Sequence, residues 1–158
     1  MQVFVPYASP YRVASCLDMR RLNKQIIECR QILAAIRGES NAWKNHPCVK
    51  MYRDHTEWLE YYMFCLECYR ESLRARDERD SDEMWIQSHL AEDWSAQADA
   101  ITPPFLTEEF CKHHRDRLFT KDPEWYRDLF THCEESEENW YFVDGELLRY
   151  ANGKCITE

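Results

Sequence analysis

Arg20, Arg21, Lys24 and Glu28 bring three cations and one carboxylate into a stretch of nine residues. On a helix, residues three or four apart are surface neighbours, so Arg20, Lys24 and Glu28 form one polar line, with Arg21 in the same turn. Two readings fit this spacing. One is an ordinary i,i+4 ion pair that stabilises the helix by about 0.2–0.5 kcal/mol. The other is a carboxylate set in a basic cleft and placed for acid–base work. A second candidate group is Cys65 and Cys68, a C-x2-C pair that could be combined with Cys111, His113, His114, His132 and Cys133 around zinc. The second half of a regular zinc spacing is missing, and the pair lies in an apolar helical stretch. These cysteines are therefore read as buried thiols that behave as small hydrophobes, with no metal. There is no Gly-rich phosphate loop and no G-x-S-x-G motif, so kinase, dinucleotide-binding and serine-hydrolase readings have no support.

The elements that must position these groups are mostly helical. Ser9-Pro10 reads as the cap and first residue of a short helical turn. Leu17, Leu22, Ile26, Cys29, Ile32, Leu33 and Ile36 follow a helical period, which predicts a helix over 14–37 with a break near Cys16-Leu17-Asp18 and a stop at Gly38. Pro47, capped by Asn45 or His46, opens a second helix predicted over 47–76 and rich in aromatics. Residues 77–83 are a charge run read as a solvated loop, and a shorter helix is predicted over 83–98. Ile101-Thr102-Pro103-Pro104-Phe105 breaks the chain. A helix over 107–119 and a short one after Asp122-Pro123 follow. Trp140 to Tyr150, centred on Asp144-Gly145, has the alternation and turn of a β-hairpin. The expected fold is mainly α: a compact single-domain helical fold over 1–158, with a helical core (1–135) and a small C-terminal β-hairpin tail (136–158).

Charge divides the chain unevenly. The 158 residues carry 20 basic and 29 acidic side chains, a net of −9, which taken whole argues against a general nucleic-acid binder. Residues 1–53, however, hold nine basic and three acidic residues (+6), against 11 and 26 in the remainder (−15). A local anion-binding face is thus compatible with the acidic total. No run of 18 apolar residues predicts a membrane span, and the N-terminus lacks the features of a secretory signal. Cytoplasmic location with free thiols is the expectation.

The residues also resemble a known family. Arg21-Leu22-Asn23-Lys24-Gln25, Glu28 and Gln31-Ile32-Leu33 look like the first helix of the pyrimidine-dimer DNA glycosylases, the phage endonuclease V type of repair enzyme. The likeness continues at Trp43, Asn45-His46-Pro47 and Met51, and returns at Pro104-Phe105-Leu106, His114-Arg115, Leu118, Lys121-Asp122-Pro123 and Trp125-Tyr126. It covers about residues 3–130, while the tail beyond 135 has no counterpart. The resemblance implies an all-α enzyme that acts on ultraviolet-damaged DNA as a glycosylase with associated lyase activity. It needs no cofactor and proceeds through an imine formed by an amine of the protein. It assigns Glu28 as the catalytic carboxylate. Gln2 is bulky enough to block removal of the first methionine, so the expected amine is that of Met1, with Lys24 second. An α-amine titrates near 8, against about 10.4 for lysine, and is the readier nucleophile. Arg20 and Arg21, together with Lys24, Arg30, Lys44 and Arg53, are implied phosphate contacts; Gln25, Asn45, His46, His114 and Arg115 are implied substrate-site residues. His46 reads equally as a cap, and Trp43 is either a lid that stacks on a base or a core anchor. The expected partner is damaged or modified DNA, bound by a monomer. Two alternatives remain: an enzyme on the same scaffold that acts on a modified nucleotide or RNA, and a non-enzymatic acidic interaction module.

Overall fold

The computed structural model describes residues 1–75 and 100–156. Its helices are α1 (Pro10–Cys16), α2 (Met19–Ile36), α3 (Pro47–Tyr52), α4 (Thr56–Ala75), α5 (Glu108–Lys121) and α6 (Pro123–Tyr126). An antiparallel sheet follows in the order β1 (Asn139–Val143), β2 (Glu146–Ala151), β3 (Lys154–Cys155). The fold is mainly α, as expected. The predicted helix over 83–98 and the charge run 77–83 lie outside the described residues.

The break near residue 17 is present. Leu17 is extended, and Asp18 caps α2 by accepting a hydrogen bond from the Arg21 amide at 3.0 Å. The positive φ of Gly38 (+76°) turns the chain away after α2. The single helix predicted over 47–76 is corrected to two. His46 caps α3, with its Nδ1 accepting from the Cys48 amide, and the chain turns at residues 53–55, where the His55 amide bonds back to Tyr52. The turn leaves Arg53 and Asp54 in solvent and stacks the buried Tyr52 on the buried Trp58, with ring centres 5.9 Å apart. Aromatic burial on both sides thus replaces continuity of the backbone helix.

The predicted hairpin is present, and a third strand extends it. Asp144-Gly145 joins β1 to β2 with both residues at positive φ, as a two-residue turn requires. Asn152-Gly153 repeats the device and adds β3. The sheet packs on α5 and α3. Trp140 stacks on His113 at 4.1 Å, Phe142 stacks on Phe105 at 5.8 Å, and Tyr141 is buried.

The core gathers around an extended run at the N-terminus. Val3 and Val5 have no exposed surface, yet residues 1–6 pair with no strand. Buried backbone groups must still be satisfied, and here side chains do it. Glu28 accepts from the Gln2 amide (3.1 Å), and Gln25 accepts from the Phe4 amide (2.7 Å) while donating to the Gln2 carbonyl (3.1 Å). His114 Nδ1 accepts from the Val5 amide (2.8 Å). Tyr62 and Arg115 donate to the carbonyls of Phe4 and Pro6, both at 2.7 Å.

Candidate active site

Helix geometry places Gln25 and Glu28, three residues apart, on the same buried face of α2. The N-terminal run crosses that face, so the first peptide groups of the chain lie against these two side chains. Glu28 is only 8% exposed. Its Oε2 accepts from the Gln2 amide at 3.1 Å and from Gln25 Nε2 at 3.4 Å, while Lys24 Nζ lies 3.8 Å from Oε1. Lys24 itself is largely in solvent. The i,i+4 pair therefore exists, and it joins an exposed cation to a carboxylate buried against the chain's first residues.

The α-amine of Met1 belongs to the same neighbourhood. His46 is held below its ordinary pKa by burial and then by this amine. The Cys48 thiol is pushed up to about 12 by burial and lies within electrostatic reach of both Glu28 and the amine. The Met1 carbonyl accepts a hydrogen bond from the Tyr141 hydroxyl at 3.0 Å.

More positive charge comes from α5. The Lys121 ammonium is held below its usual pKa by burial and by Arg117, Lys24 and Arg21, with Glu28 opposing the shift. Arg117 is 8% exposed and is likewise lowered by burial. It donates to the Ser136 carbonyl (2.7 Å) and Asn139 Oδ1 (3.1 Å), and its Nε has no partner among the described residues. Lys121 is thus a cation destabilised by its cationic neighbours, a setting that an incoming anion would relieve. A cleft of about 370 Å³ opens beside them, lined by Arg117, Thr120, Lys121 and Asn139, with Glu137 and the Asn152-Gly153 turn at its edge.

The remaining sequence-derived candidates fall into three settings. Arg20 is exposed and has no ion pair among the described residues. Arg21 is engaged by Asp18 at 2.6 Å and Asp122 at 3.4 Å, so it ties α2 to the start of α6. Arg30 turns to Glu67 on α4. Lys44, Asn45 and Arg53 are exposed. Trp43, also exposed, sits at φ +65° and meets the His46 ring edge-on. His114 is fully buried and supports Val5, so it forms no part of the accessible site wall. Arg115 holds the Pro6 carbonyl and pairs with Glu108. These contacts bring Met1, Gln2, Lys24, Gln25, Glu28 and His46 together, while His114 and Arg115 hold the run that leads to residues 1 and 2.

Sequence reasoning missed Arg117 and Tyr141 as members of this region, and used Lys121 only as a point of resemblance. The i,i+4 spacing of Arg117 and Lys121 on a capped helix was a readable signal. Tyr141 offered none, because its role depends on where the sheet docks. Cys65 is buried in α4, its thiol pushed up to about 12 by burial. Among the described residues no group of three or more His, Cys, Asp or Glu side chains is arranged to hold a metal ion. None of the described helices is long and apolar enough to cross a membrane.

Lys24 and Lys121 thus stand within electrostatic reach of the buried Glu28 on a helical scaffold. The sequence model of the pyrimidine dimer DNA glycosylase family matches residues 1–84, just over half of the chain, and the chain belongs to that family. No curated protein and no solved structure matches it. The matched span contains Lys24, Gln25, Glu28 and His46; α5, α6 and the sheet lie beyond it.

Proposed function

We propose that the protein removes damaged pyrimidines from DNA and cleaves the strand through an imine intermediate, with the Met1 α-amine as nucleophile and Glu28 as the catalytic carboxylate. The observation that carries this reading is the hydrogen bond from the Gln2 amide to Glu28, which fixes the start of the chain beside a buried carboxylate. The amine lone pair would form a bond to C1′ of the damaged nucleotide. The C1′–base bond breaks, and its electron pair leaves with the base. One amine proton passes to Glu28 and a proton reaches O4′ as the sugar ring opens, leaving a C1′=N iminium. Loss of a C2′ proton then expels the 3′ phosphate. Glu28 would stabilise positive charge at the sugar and move protons, a role worth about 10²–10⁴-fold.

Arg20, Lys24, Lys121 and Arg117 supply positive charge for backbone phosphates, which positions the duplex without reading its sequence. A damaged, poorly stacked base costs less to extrude than a normal one, which favours lesions. His46 would border the reacting amine and Trp43 would stand at the rim. Lys24 is the second candidate nucleophile, since its Nζ is also close to Glu28.

The test is borohydride trapping on duplexes that carry a pyrimidine dimer or an abasic site. Hydride reduces the imine at C1′ and leaves a stable secondary amine. A covalent protein–DNA adduct that maps to residue 1 is expected. An adduct at Lys24 moves the nucleophile, and no adduct on either duplex refutes the imine mechanism.

A further inference from the structure

The Met1 carbonyl and the Gln2 amide belong to one peptide group, which is planar. Its N–H donates to Glu28 Oε2 at 3.1 Å, and its C=O accepts from the Tyr141 hydroxyl at 3.0 Å. The two partners come from different parts of the fold, α2 and β1. Held at both ends, the plane leaves the Met1 α-amine little freedom beyond rotation about its own Cα–C bond. No other hydrogen bond to the backbone of Met1 is made among the described residues.

Tyr141 is itself well fixed. It is 4% exposed, and its ring meets His46 edge-on at 5.6 Å and Tyr150 at 5.6 Å. His46 is locked as the cap of α3, and the next residue of β1 anchors through its amide to Met51 Sδ at 3.1 Å. On the other side of Tyr141, Trp140 stacks on His113 of α5. The tyrosine hydroxyl is therefore delivered to Met1 by a sheet pinned to both α3 and α5. That sheet lies outside the residues matched to the family.

We propose that Tyr141 is a positioning residue for the reacting amine, and that the C-terminal sheet is thereby part of the active site. The inference rests on the imine reading above. Tyr141 touches no reacting atom. It sets the direction of the Met1–Gln2 peptide, and through it the approach of the amine to C1′.

The experiment compares the full-length chain with Tyr141→Phe, which keeps the ring and removes only the hydroxyl. Tyr61→Phe, at a buried tyrosine on α4 outside the sheet, serves as the control. The rate of borohydride-trapped adduct at saturating abasic duplex, the Kd for the same duplex and the thermal midpoint are measured. Tyr141→Phe is expected to slow trapping about tenfold, the effect of one lost hydrogen bond. Its Kd should stay within about twofold and its thermal midpoint within about 4 °C of the parent's, the cost of one part-buried carbonyl left to water. A purely structural role would instead move the midpoint and Kd with the rate. Trapping by Tyr141→Phe at the parent rate, or falling only in step with Kd, overturns the inference while leaving the imine reading intact. Absence of any adduct from the unmodified chain overturns both.

Discussion

Replacing Gln25 by alanine should cost far more stability than a polar-to-alanine change on a helix usually does. Gln25 is 1% exposed and bridges α2 to the N-terminal run through three contacts: the Phe4 amide at 2.7 Å, the Gln2 carbonyl at 3.1 Å and Glu28 at 3.4 Å. The variant leaves the Phe4 amide and the Gln2 carbonyl without their partner. Each orphaned buried group costs about 1–3 kcal/mol. The shorter alanine leaves space that a water can occupy in place of the lost amide, so the lower part of that range applies to each. With the small void left by the lost side chain, the total is about 3 kcal/mol. For a chain of this size, about 2–4 °C is lost per kcal/mol, which gives a drop of about 6–12 °C. The assay is thermal and urea unfolding followed by circular dichroism, with exposed Gln31→Ala on the same helix as the control, expected within about 0.5 kcal/mol. The same variant should slow adduct trapping more than it weakens DNA binding, because the run that carries Met1 is released while the cations stay in place. A loss below about 1 kcal/mol would refute this account, since it would mean that the N-terminal run is not held by α2.

Three further outcomes are expected. Glu28→Gln keeps an oxygen to accept from the Gln2 amide, so the thermal midpoint should move little, while trapping falls about 10²–10⁴-fold; full activity would remove Glu28 from the chemistry. Arg20→Ala should reduce the salt dependence of DNA affinity by about one phosphate contact, a slope change near 0.9, with an equal effect on damaged and undamaged duplex; an unchanged slope would show that Arg20 faces no phosphate. His113 is held down to about 4 and His114 well below its ordinary value, in both cases first by burial. Both are bases with lowered folded pKa values, so no stability is lost above about pH 6.5. Below it, the unfolded chain takes up protons that the folded chain refuses, and stability declines towards pH 4. For His113, allowing for the backbone carbonyl and carboxylates that oppose the shift, this amounts to about 2 kcal/mol. Unfolding free energies from urea titration at pH 7 and pH 4.5 should differ by about that much less in His113→Gln; an equal difference in the two proteins would refute the assignment.

How much of this was legible in the sequence depended on whether the signal was local. The break at Leu17, the stop at Gly38, the short helix after Asp122-Pro123 and the turn at Asp144-Gly145 are set by residues within a few positions of one another, and each appears in the structure. The turn at residues 53–55 was hidden because the aromatic period continued through it. The third strand was marked by Asn152-Gly153 but is only two residues long, too short to show alternation.

The sequence by itself determined the helical class, the basic character of the first 53 residues and the pairing of Lys24 with Glu28, because periodicity, composition and i,i+4 spacing are properties of neighbours along the chain. Only the tertiary structure decided what Glu28 faces. The Gln2 amide lies 26 residues away in sequence, and Tyr141 lies 140 residues from the carbonyl it holds. The tertiary structure also set the side chains of His114 and Arg115 against the backbone of Val5 and Pro6. The physical reason is that a buried extended segment with no strand partner must find its hydrogen bonds among side chains, and no local pattern says which distant residues will supply them.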